Sequence, residues 1–240
     1  TAMPAPQPSA LPQDRRAARD GRQQQAPAWT RVGRRKPAGA WAGAFAAAAL
    51  CAASWTARAA PDVQTGDLIF QQSRSAQSQA IQQATHSPYS HMGMIVMRQG
   101  APYVLEAAAT VSYTPLAQWT AQGENGKYVV KRLRDASRLT PETREQLART
   151  GARYLGKPYD AAFGWSDDRI YCSELVWKIY QRTLGLQIGA LQPLKQFDLS
   201  SPTVRATMQA RYGKDIPWEE PIISPAAMFD SPLLATVPDR

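Results

Sequence analysis

Cys172 is the residue whose position most favours chemistry, because it lies where a helix is predicted to begin. Apolar residues follow it at the third, fourth, seventh and eighth positions, the spacing of one buried helical face: Leu175, Val176, Ile179 and Tyr180. A thiol in a first helical turn faces unpaired backbone N–H groups and the positive end of the helix dipole, which favour the thiolate. The pattern indicates a nucleophile, although a small buried core cysteine fits the same spacing.

A histidine and a carboxylate lie on two segments that are predicted to pair as a β-hairpin. If Gln99-Gly100 forms a two-residue turn, Gly93 lies opposite Glu106 and His91 is the diagonal neighbour of Glu106 on the same face. Gly93 would then leave space between the two functional side chains. A three-residue loop with a bulge would break this parity.

Together these side chains are the parts of a thiol nucleophile site, in which His91 takes the thiol proton and Glu106 holds the imidazole. His86 is the alternative base, and it lies in a predicted loop before Ser87-Pro88. The sequence contains no Gly-x-Ser-x-Gly elbow, no His-Glu-x-x-His helix and no glycine-rich phosphate loop. The sequence has no cysteine pair for zinc, and two histidines five residues apart across a proline make a weak metal site, so no metal and no cofactor is predicted.

The remaining elements follow from periodicity and turn residues. Strands are predicted at 66–70, 91–97, 103–107 and 127–133, and helices at 75–85 and after Thr140-Pro141, with two short helices after Ser201-Pro202 and Ser224-Pro225. These elements predict an α+β fold in which an antiparallel sheet packs against helices. The apolar residues of the C-terminal region 187–238 fit two roles, closing one side of a cleft or packing the back of the core.

The charge of the 240-residue chain is concentrated near its N-terminus. Residues 1–60 hold nine of the 28 basic residues and only two of the 19 acidic ones, so the rest of the chain is close to neutral. The near-neutral part gives no electrostatic reason to expect nucleic-acid binding.

Residues 31–59 have the pattern of a secretory signal peptide, with a charged start, an Ala-rich apolar stretch and the small-x-small sequence Ala57-Arg58-Ala59. Cleavage there leaves Cys172 as the only cysteine, with no membrane span, in an exported domain of 60–240. Residues 1–30 show no hydrophobic period and are predicted to be disordered or untranslated. A periplasmic or secreted monomer is therefore expected.

Five short motifs resemble the YiiX/YebB-like family of circularly permuted papain-fold enzymes, over about Val63 to Leu234. They are Gly66-Asp67, Ser90-His91-Met92-Gly93-Met94, Val104-Leu105-Glu106-Ala107, Gly156-Lys157-Pro158-Tyr159-Asp160 and Tyr171-Cys172-Ser173-Glu174-Leu175-Val176. The Gly-x-Pro-Tyr and Cys-Ser motifs are also similar to those of NlpC-type cell-wall peptidases. There the histidine follows the cysteine, whereas here both histidines precede it, which is the order of a permuted member.

The resemblance implies a papain-like α+β fold with Cys172 as nucleophile, His91 as base and Glu106 as its orienting partner. It implies a cysteine hydrolase that cleaves an amide bond through an acyl-enzyme, with a cell-wall peptide as one candidate substrate. Tyr171, Tyr159 and Trp165 are the predicted substrate-binding residues, with Tyr171 near the oxyanion. Two other functions remain open: an acyl-lipid hydrolase or acyltransferase, with Trp119, Trp165 and Trp218 along an apolar groove, and a non-catalytic envelope binding module.

Overall fold

The computed structural model describes residues 62–238. The predicted extension 1–30 and signal peptide 31–59 lie outside the described residues. Within 62–238 there are eight strands: β1 Leu68–Ser73, β2 His91–Arg98, β3 Ala101–Ala107, β4 Val111–Pro115, β5 Gly123–Leu133, β6 Gln192–Pro193, β7 Pro221–Ile222 and β8 Leu234–Thr236. The same residues form six α-helices: α1 Ala76–Thr85, α2 Leu116–Gln122, α3 Pro141–Ala152, α4 Cys172–Leu184, α5 Pro202–Tyr212 and α6 Pro225–Phe229.

Six of the strands form one antiparallel sheet in the order β4-β3-β2-β1-β5-β8. The two-residue strands β6 and β7 pair separately. The strands at the centre of the sheet, β1 and β2, are therefore hydrogen-bonded on both sides. β2 begins with His91, whose backbone pairs with Gln71 of β1, so the sheet holds that backbone in place. The predicted α+β architecture is confirmed.

Helices cover both faces of the sheet, and the alternation of side chains along β1 shows this directly. Leu68 and Phe70 belong to the large core that also contains Leu175 and Ile179 of α4. Ile69 belongs to a smaller core on the other face, with Trp119 of α2. The period of two predicted for a strand therefore separates a core against α4 from a core against α2.

The hairpin β2–β3 has the predicted two-residue turn. Gln99 and Gly100 both have positive φ, at 51° and 80°, as a type I′ turn requires. Met94 pairs with Leu105, so the next residues along the two strands, Gly93 and Glu106, lie opposite each other. A Cβ atom on Gly93 would lie 2.8 Å from the Leu105 carbonyl oxygen and 3.4 Å from Glu106 Cβ, so only glycine fits here.

Helix α4 is the most deeply buried helix in the described part of the chain. Every residue from Cys172 to Tyr180 is buried, including Lys178. The helix ends at Gly185, whose φ of 69° closes it in the left-handed conformation. The predicted helix start at Cys172 is confirmed, and so are the serine caps of α5 and α6, where the hydroxyls of Ser201 and Ser224 accept from the backbone of Val204 and Ala227.

Two elements beside the site were not predicted from the sequence. Strand β4 has five residues and α2 has seven, and α2 follows Pro115 of β4 without a loop. Neither is long enough to show a clear period. Both matter for the site, because each supplies a side chain that contacts Glu106.

Candidate active site

His91 and Glu106 form a short, buried hydrogen bond. The distance between His91 Nε2 and Glu106 Oε2 is 2.6 Å, and the two side chains are 15% and 4% exposed. His91 is the first residue of β2 and Glu106 is next to the last residue of β3, and the two side chains meet over Gly93, which has no side chain of its own. The face predicted from the hairpin parity is therefore correct.

Two further donors hold the carboxylate of Glu106. Thr114 Oγ1 of β4 donates to Glu106 Oε1 at 2.5 Å, and Trp119 Nε1 of α2 donates to Oε2 at 2.9 Å. The Trp119 indole also stacks beside the imidazole of His91, with 5.8 Å between ring centroids. Burial tends to raise the pKa of Glu106, but these hydrogen bonds and the charge of His91 lower it overall, so the carboxylate stays ionised.

Glu106 occupies one nitrogen of the His91 ring and leaves the other for the thiol. Because Nε2 is bonded to Glu106, Nδ1 is the nitrogen that can interact with Cys172. Burial alone would lower the pKa of His91, but its bonds and charge interactions with Cys172 and Glu106 raise the pKa to about 10. Such a ring holds its proton at neutral pH when the sulfur opposite is a thiolate. The arrangement suits an imidazolium–thiolate pair.

The start of α4 is held by a buried ion pair. Glu174 Oε2 accepts from the backbone N–H of Tyr171 at 3.3 Å, and Glu174 Oε1 lies 2.7 Å from Lys178 Nζ. Burial raises the pKa of Glu174 to about 7, against the opposing effect of Lys178. Lys178 also donates to the Ser166 carbonyl oxygen at 2.7 Å, which ties the helix to the preceding loop. This anchoring fixes the orientation of the Cys172 backbone.

A chain of hydrogen bonds directs the hydroxyl group of Tyr159. Arg211 Nη2 donates to Gln77 Oε1 at 2.7 Å, and Gln77 Nε2 donates to Tyr159 Oη at 2.8 Å. Arginine can only donate, so it determines which end of the Gln77 amide is oxygen. Since Tyr159 Oη accepts from Gln77, its own proton is available to another acceptor. Tyr159 and Cys172 line the same cavity.

Two cavities meet beside these residues. The first is lined by Cys172 but not by His91, and its walls are mainly apolar side chains of α1, α5 and the segments before α5 and α6. The second is lined by His91 and Glu106 but not by Cys172, and most of its other walls are glutamine and serine side chains. Gln77, Ile81 and Tyr159 line both. The thiol and the imidazole therefore face chemically different spaces.

Not all predicted substrate-binding residues lie at these cavities. Tyr159 lines both and Tyr171 lines the apolar one, where Tyr171 Oη accepts from the backbone N–H of Ile223 at 3.1 Å. Trp165 lines neither: its ring packs edge-on against Trp177, 5.2 Å between centroids, on α4. Trp165 therefore packs against the helix that carries Cys172 and lies at neither cavity.

The three tryptophans of the suggested apolar groove, Trp119, Trp165 and Trp218, line neither of these cavities. Trp119 is fully buried and bonded to Glu106, whereas Trp218 is 47% exposed and lines neither cavity. Other residues of the C-terminal region, Phe197 and Met208 among them, do line the apolar cavity. His86 lies at the end of α1 and pairs with Asp198 at 3.0 Å, on a side chain that is 73% exposed.

Comparison with known proteins places the chain in a family. A family described as permuted papain-like amidase enzymes, YaeF/YiiX, C92, matches residues 62–238. The chain belongs to this family. It is 60% identical over 174 residues to the uncharacterised protein YiiX of Escherichia coli K12, a match that covers 72% of this chain and 85% of that protein.

A solved structure from the same family shares the fold. The crystal structure of the metalloprotein YiiX from Escherichia coli O157:H7 matches with a TM-score of 0.71 and 60% identity. The match covers 74% of this chain and 97% of that one. The permuted papain-like fold and membership among cysteine hydrolases of the amidase type, both implied by the sequence motifs, are thus confirmed. Within residues 62–238, no helix is long and apolar enough to cross a membrane.

Proposed function

We propose that this protein hydrolyses an amide bond through a thioester on Cys172, with His91 as the general base and acid and Glu106 as the group that orients His91. The buried hydrogen bond between His91 and Glu106, together with the interaction of His91 with Cys172 at the start of a buried helix, is the observation that carries the proposal. Each group has the partner that its role needs. The family's description as amidases supports the amide bond as the target.

In the acylation step, Cys172 Sγ attacks the carbonyl carbon and the carbonyl oxygen becomes an oxyanion. The C–N bond then breaks, and the proton on His91 passes to the leaving nitrogen. In the second step His91 takes a proton from water, whose oxygen attacks the thioester and releases the acid and the thiolate. Glu106 stays ionised throughout and holds the imidazolium by charge and by its bond to Nε2.

Tyr159 supplies one donor to the oxyanion, together with the backbone N–H of Cys172 at the helix start. Gln77 occupies the acceptor side of the Tyr159 hydroxyl, so the free proton can point to the developing charge. Tyr171 is the less suitable donor, since its hydroxyl group is already bonded to the Ile223 backbone.

Removal of the Tyr159 hydroxyl group tests this role. Tyr159→Phe is expected to lower kcat by about 10²-fold, because one oxyanion donor is lost, with a smaller change in KM. Iodoacetamide should alkylate Cys172 at an unchanged rate, since alkylation forms no oxyanion. Tyr212→Phe removes another hydroxyl group from the same region, one that donates to the Ala162 carbonyl oxygen, and should leave kcat unchanged. Equal kcat values in Tyr159→Phe and wild type would exclude the hydroxyl as a donor.

The hydrolase activity itself is tested by a substrate screen on the purified domain 60–240. Cell-wall peptides, simple peptide amides and acyl amides are incubated with wild type and Cys172→Ala, and products and intact protein are measured by mass spectrometry. An amide product that requires Cys172, with a transient mass increase on the wild-type protein, is expected. Absence of any Cys172-dependent product or adduct would contradict the proposal.

The related protein YiiX is described as a metalloprotein, which raises the question of a metal at this site. Within residues 62–238, no group of three or more His, Cys, Asp and Glu side chains comes close enough to bind one ion. His91 and Glu106 are bonded to each other. The proposed steps therefore use protein groups alone.

Export to the periplasm or the cell exterior is the second part of the proposal, and it is supported by the signal-peptide pattern before Ala60. The mature protein is expected to begin at Ala60. Mass spectrometry of the protein recovered from the periplasmic or culture fraction gives its N-terminus. A folded product in that fraction that retains residues 31–59 would contradict cleavage.

A further inference from the structure

The polar cavity beside His91 is the part of the site that the leaving group must occupy. His91 protonates the leaving nitrogen in the proposed reaction, so the leaving group lies on the imidazole side of the sulfur. The cavity on that side has a volume of about 280 Å³, with His91 and Glu106 in its wall. A cavity of about 150 Å³ holds a benzene molecule, so this one has room for a small polar group.

The wall of this cavity offers no partner for a charged group. Among the residues of 62–238 that line it, only His91 and Glu106 carry charge, and these two are bonded to each other at 2.6 Å. The other polar side chains in the wall are uncharged glutamine, serine and tyrosine. Burying an ion without a partner of opposite charge is costly, so the cavity suits an uncharged polar group.

Two of these polar side chains already have partners within the protein. Both ends of the Gln77 amide are hydrogen-bonded, one to Tyr159 and the other to Arg211. Ser90 Oγ accepts from a backbone N–H at 2.9 Å and shares a hydrogen bond of 2.6 Å with Ser78 Oγ. Gln77 and Ser90 therefore shape the cavity, but their hydrogen-bonding groups are engaged.

Gln71 differs from them, because its amide oxygen is buried without a partner. The residue is 2% exposed, and Oε1 has no hydrogen-bond partner among residues 62–238. Gln71 of β1 pairs directly with His91 of β2, so their side chains project from the same face of the sheet, with Cβ atoms about 5 Å apart. A buried acceptor that stays unpaired costs free energy, and a donor on the leaving group would remove that cost.

The neighbouring strand leaves room for this amide. Beyond Gln71 the pairing of β1 with β5 is interrupted, since Gln71 lies opposite Tyr128 whereas Ser73 lies opposite Gly123. A Cβ atom on Gly123 would lie 2.4 Å from Gln71 Oε1, so any larger residue there would displace the amide oxygen. Glycine at this position keeps the oxygen in its place beside the cavity.

We infer that Gln71 binds the leaving group, and that this group is an amine whose remaining part is uncharged and carries a second hydrogen-bond donor close to the scissile nitrogen. The donor is a hydroxyl or an amide N–H, because either can bond to the Gln71 amide oxygen. A hydroxyl would belong to an amino alcohol and an amide N–H to a peptide. The inference rests on the proposed acyl-enzyme and names the part of the substrate that leaves first.

The reverse of acylation gives access to this subsite, because an amine that attacks the acyl-enzyme must occupy the place of the leaving amine. Its nitrogen bonds to the acyl carbon, the C–S bond breaks, and one proton of the amine passes to His91. The products are an amide, the thiolate and the imidazolium. Water competes for the same acyl-enzyme and gives the carboxylic acid, so the ratio of amide to acid measures how well an amine binds beside His91.

The test forms the acyl-enzyme with 4-nitrophenyl acetate and measures its products with two pairs of amines. Within each pair only the second donor is removed: 2-aminoethanol against 2-methoxyethylamine, and glycinamide against its N,N-dimethyl amide. Each product ratio is divided by that of a free acetyl thioester with the same amine, which corrects for basicity. The donor-bearing member should be favoured about tenfold in at least one pair, the effect of one hydrogen bond to a buried acceptor. The pair with the larger preference shows whether an amino alcohol or a peptide fits.

Two variants link the preference to Gln71. Gln71→Met keeps the side-chain length and removes both polar atoms, so the donor preference should fall to about twofold or less, while hydrolysis of the acetyl-enzyme without amine changes by less than about twofold. Gly123→Ala leaves Gln71 in place but displaces its amide oxygen, and it should also reduce the preference. Gln72→Met makes the same change at the next residue of β1, which lines neither cavity, and should keep the preference. The melting temperature of each variant checks its folding.

The outcomes separate this inference from the proposed function. Equal corrected ratios within both pairs, or hydrolysis without any amide product, would overturn the inference and leave the thiol hydrolase in place. A donor preference that persists in Gln71→Met would overturn Gln71 as its source, and Gly123→Ala decides the same point if Gln71→Met does not fold. No acetyl adduct on Cys172, together with no Cys172-dependent amide product in the substrate screen, would contradict the proposed function itself.

Discussion

Cys172→Ala is expected to lower kcat/KM for any substrate by at least about 10³-fold, because the acyl-enzyme cannot form without the sulfur. His91→Ala should cause a loss of similar size, since the thiol then loses its base and the leaving group loses its acid. Cys172 and His91 act as one unit, so the double variant should be little worse than either single variant. Initial rates on a substrate found in the screen give these values.

His86→Ala is the matched control for His91→Ala. The His86 side chain is largely exposed and pairs with Asp198 away from Cys172, so its loss should change kcat/KM by less than about twofold. Melting temperatures of all variants show whether a loss of activity comes from unfolding. Full activity in His91→Ala together with loss in His86→Ala would reverse the assignment of the base.

The hairpin shows how much of the site the sequence could predict. A two-residue turn fixes the parity of the paired strands, so Gln99-Gly100 alone places Gly93 opposite Glu106 and His91 on the same face. The helix start at Cys172 was equally predictable, because its apolar spacing is long and regular. Local rules suffice where a short turn or a long periodic helix determines the geometry.

Thr114 and Trp119 show why the rest could not be predicted. They reach Glu106 from β4 and α2, whose five and seven residues are too short for a period to identify them. The apolar cavity was out of reach for a different reason. It forms between α1 and α5, which lie more than 100 residues apart in the sequence. Only the folded chain brings side chains of these two helices into one cavity wall.

Trp165 illustrates the limit of reasoning from nearness in sequence. It lies in the loop between Tyr159 and Cys172, which suggested contact with a substrate. The loop instead turns back on α4, where Trp165 packs on Trp177 and its backbone N–H donates to Glu220 Oε1 at 2.7 Å. Lys178 lies 4.9 Å from the centre of the Trp165 ring. Its contribution is to the packing of the helix that carries Cys172.

Glu106→Gln is expected to have a smaller effect than loss of Cys172 or His91, because the local donors determine how a glutamine would lie. Trp119 and the His91 Nε2–H can only donate to this side chain, so the amide oxygen must take the place of Glu106 Oε2. The NH₂ group then faces Thr114, whose hydroxyl group can turn to accept. His91 keeps its tautomer, and only the negative charge is lost.

The loss of charge should appear most clearly in the dependence of activity on pH. In the wild type the pKa of His91 is raised to about 10, in part by Glu106, so the general acid is protonated at neutral pH and is lost only as the pH rises past about 10. Without the carboxylate charge the pKa of His91 falls toward its ordinary value of 6.5, although Cys172 still raises it. The alkaline fall in kcat/KM of Glu106→Gln should therefore lie at lower pH than in the wild type.

At pH 7 we expect Glu106→Gln to retain activity, reduced by about 10- to 10²-fold, and to gain relative to wild type as the pH is lowered and its His91 becomes protonated. Glu106→Ala should be worse on both counts, because it leaves the buried Trp119 N–H unpaired, at a cost of about 1–3 kcal/mol in the free energy of unfolding, and frees the His91 ring to rotate. Complete pH profiles of kcat/KM, with urea unfolding of each variant, separate the two effects. If activity falls at the same alkaline pH in Glu106→Gln and wild type, the carboxylate does not stabilise the protonated His91. If Glu106→Gln is fully stable but inactive, the negative charge of the carboxylate contributes more to catalysis than the orientation of His91 requires.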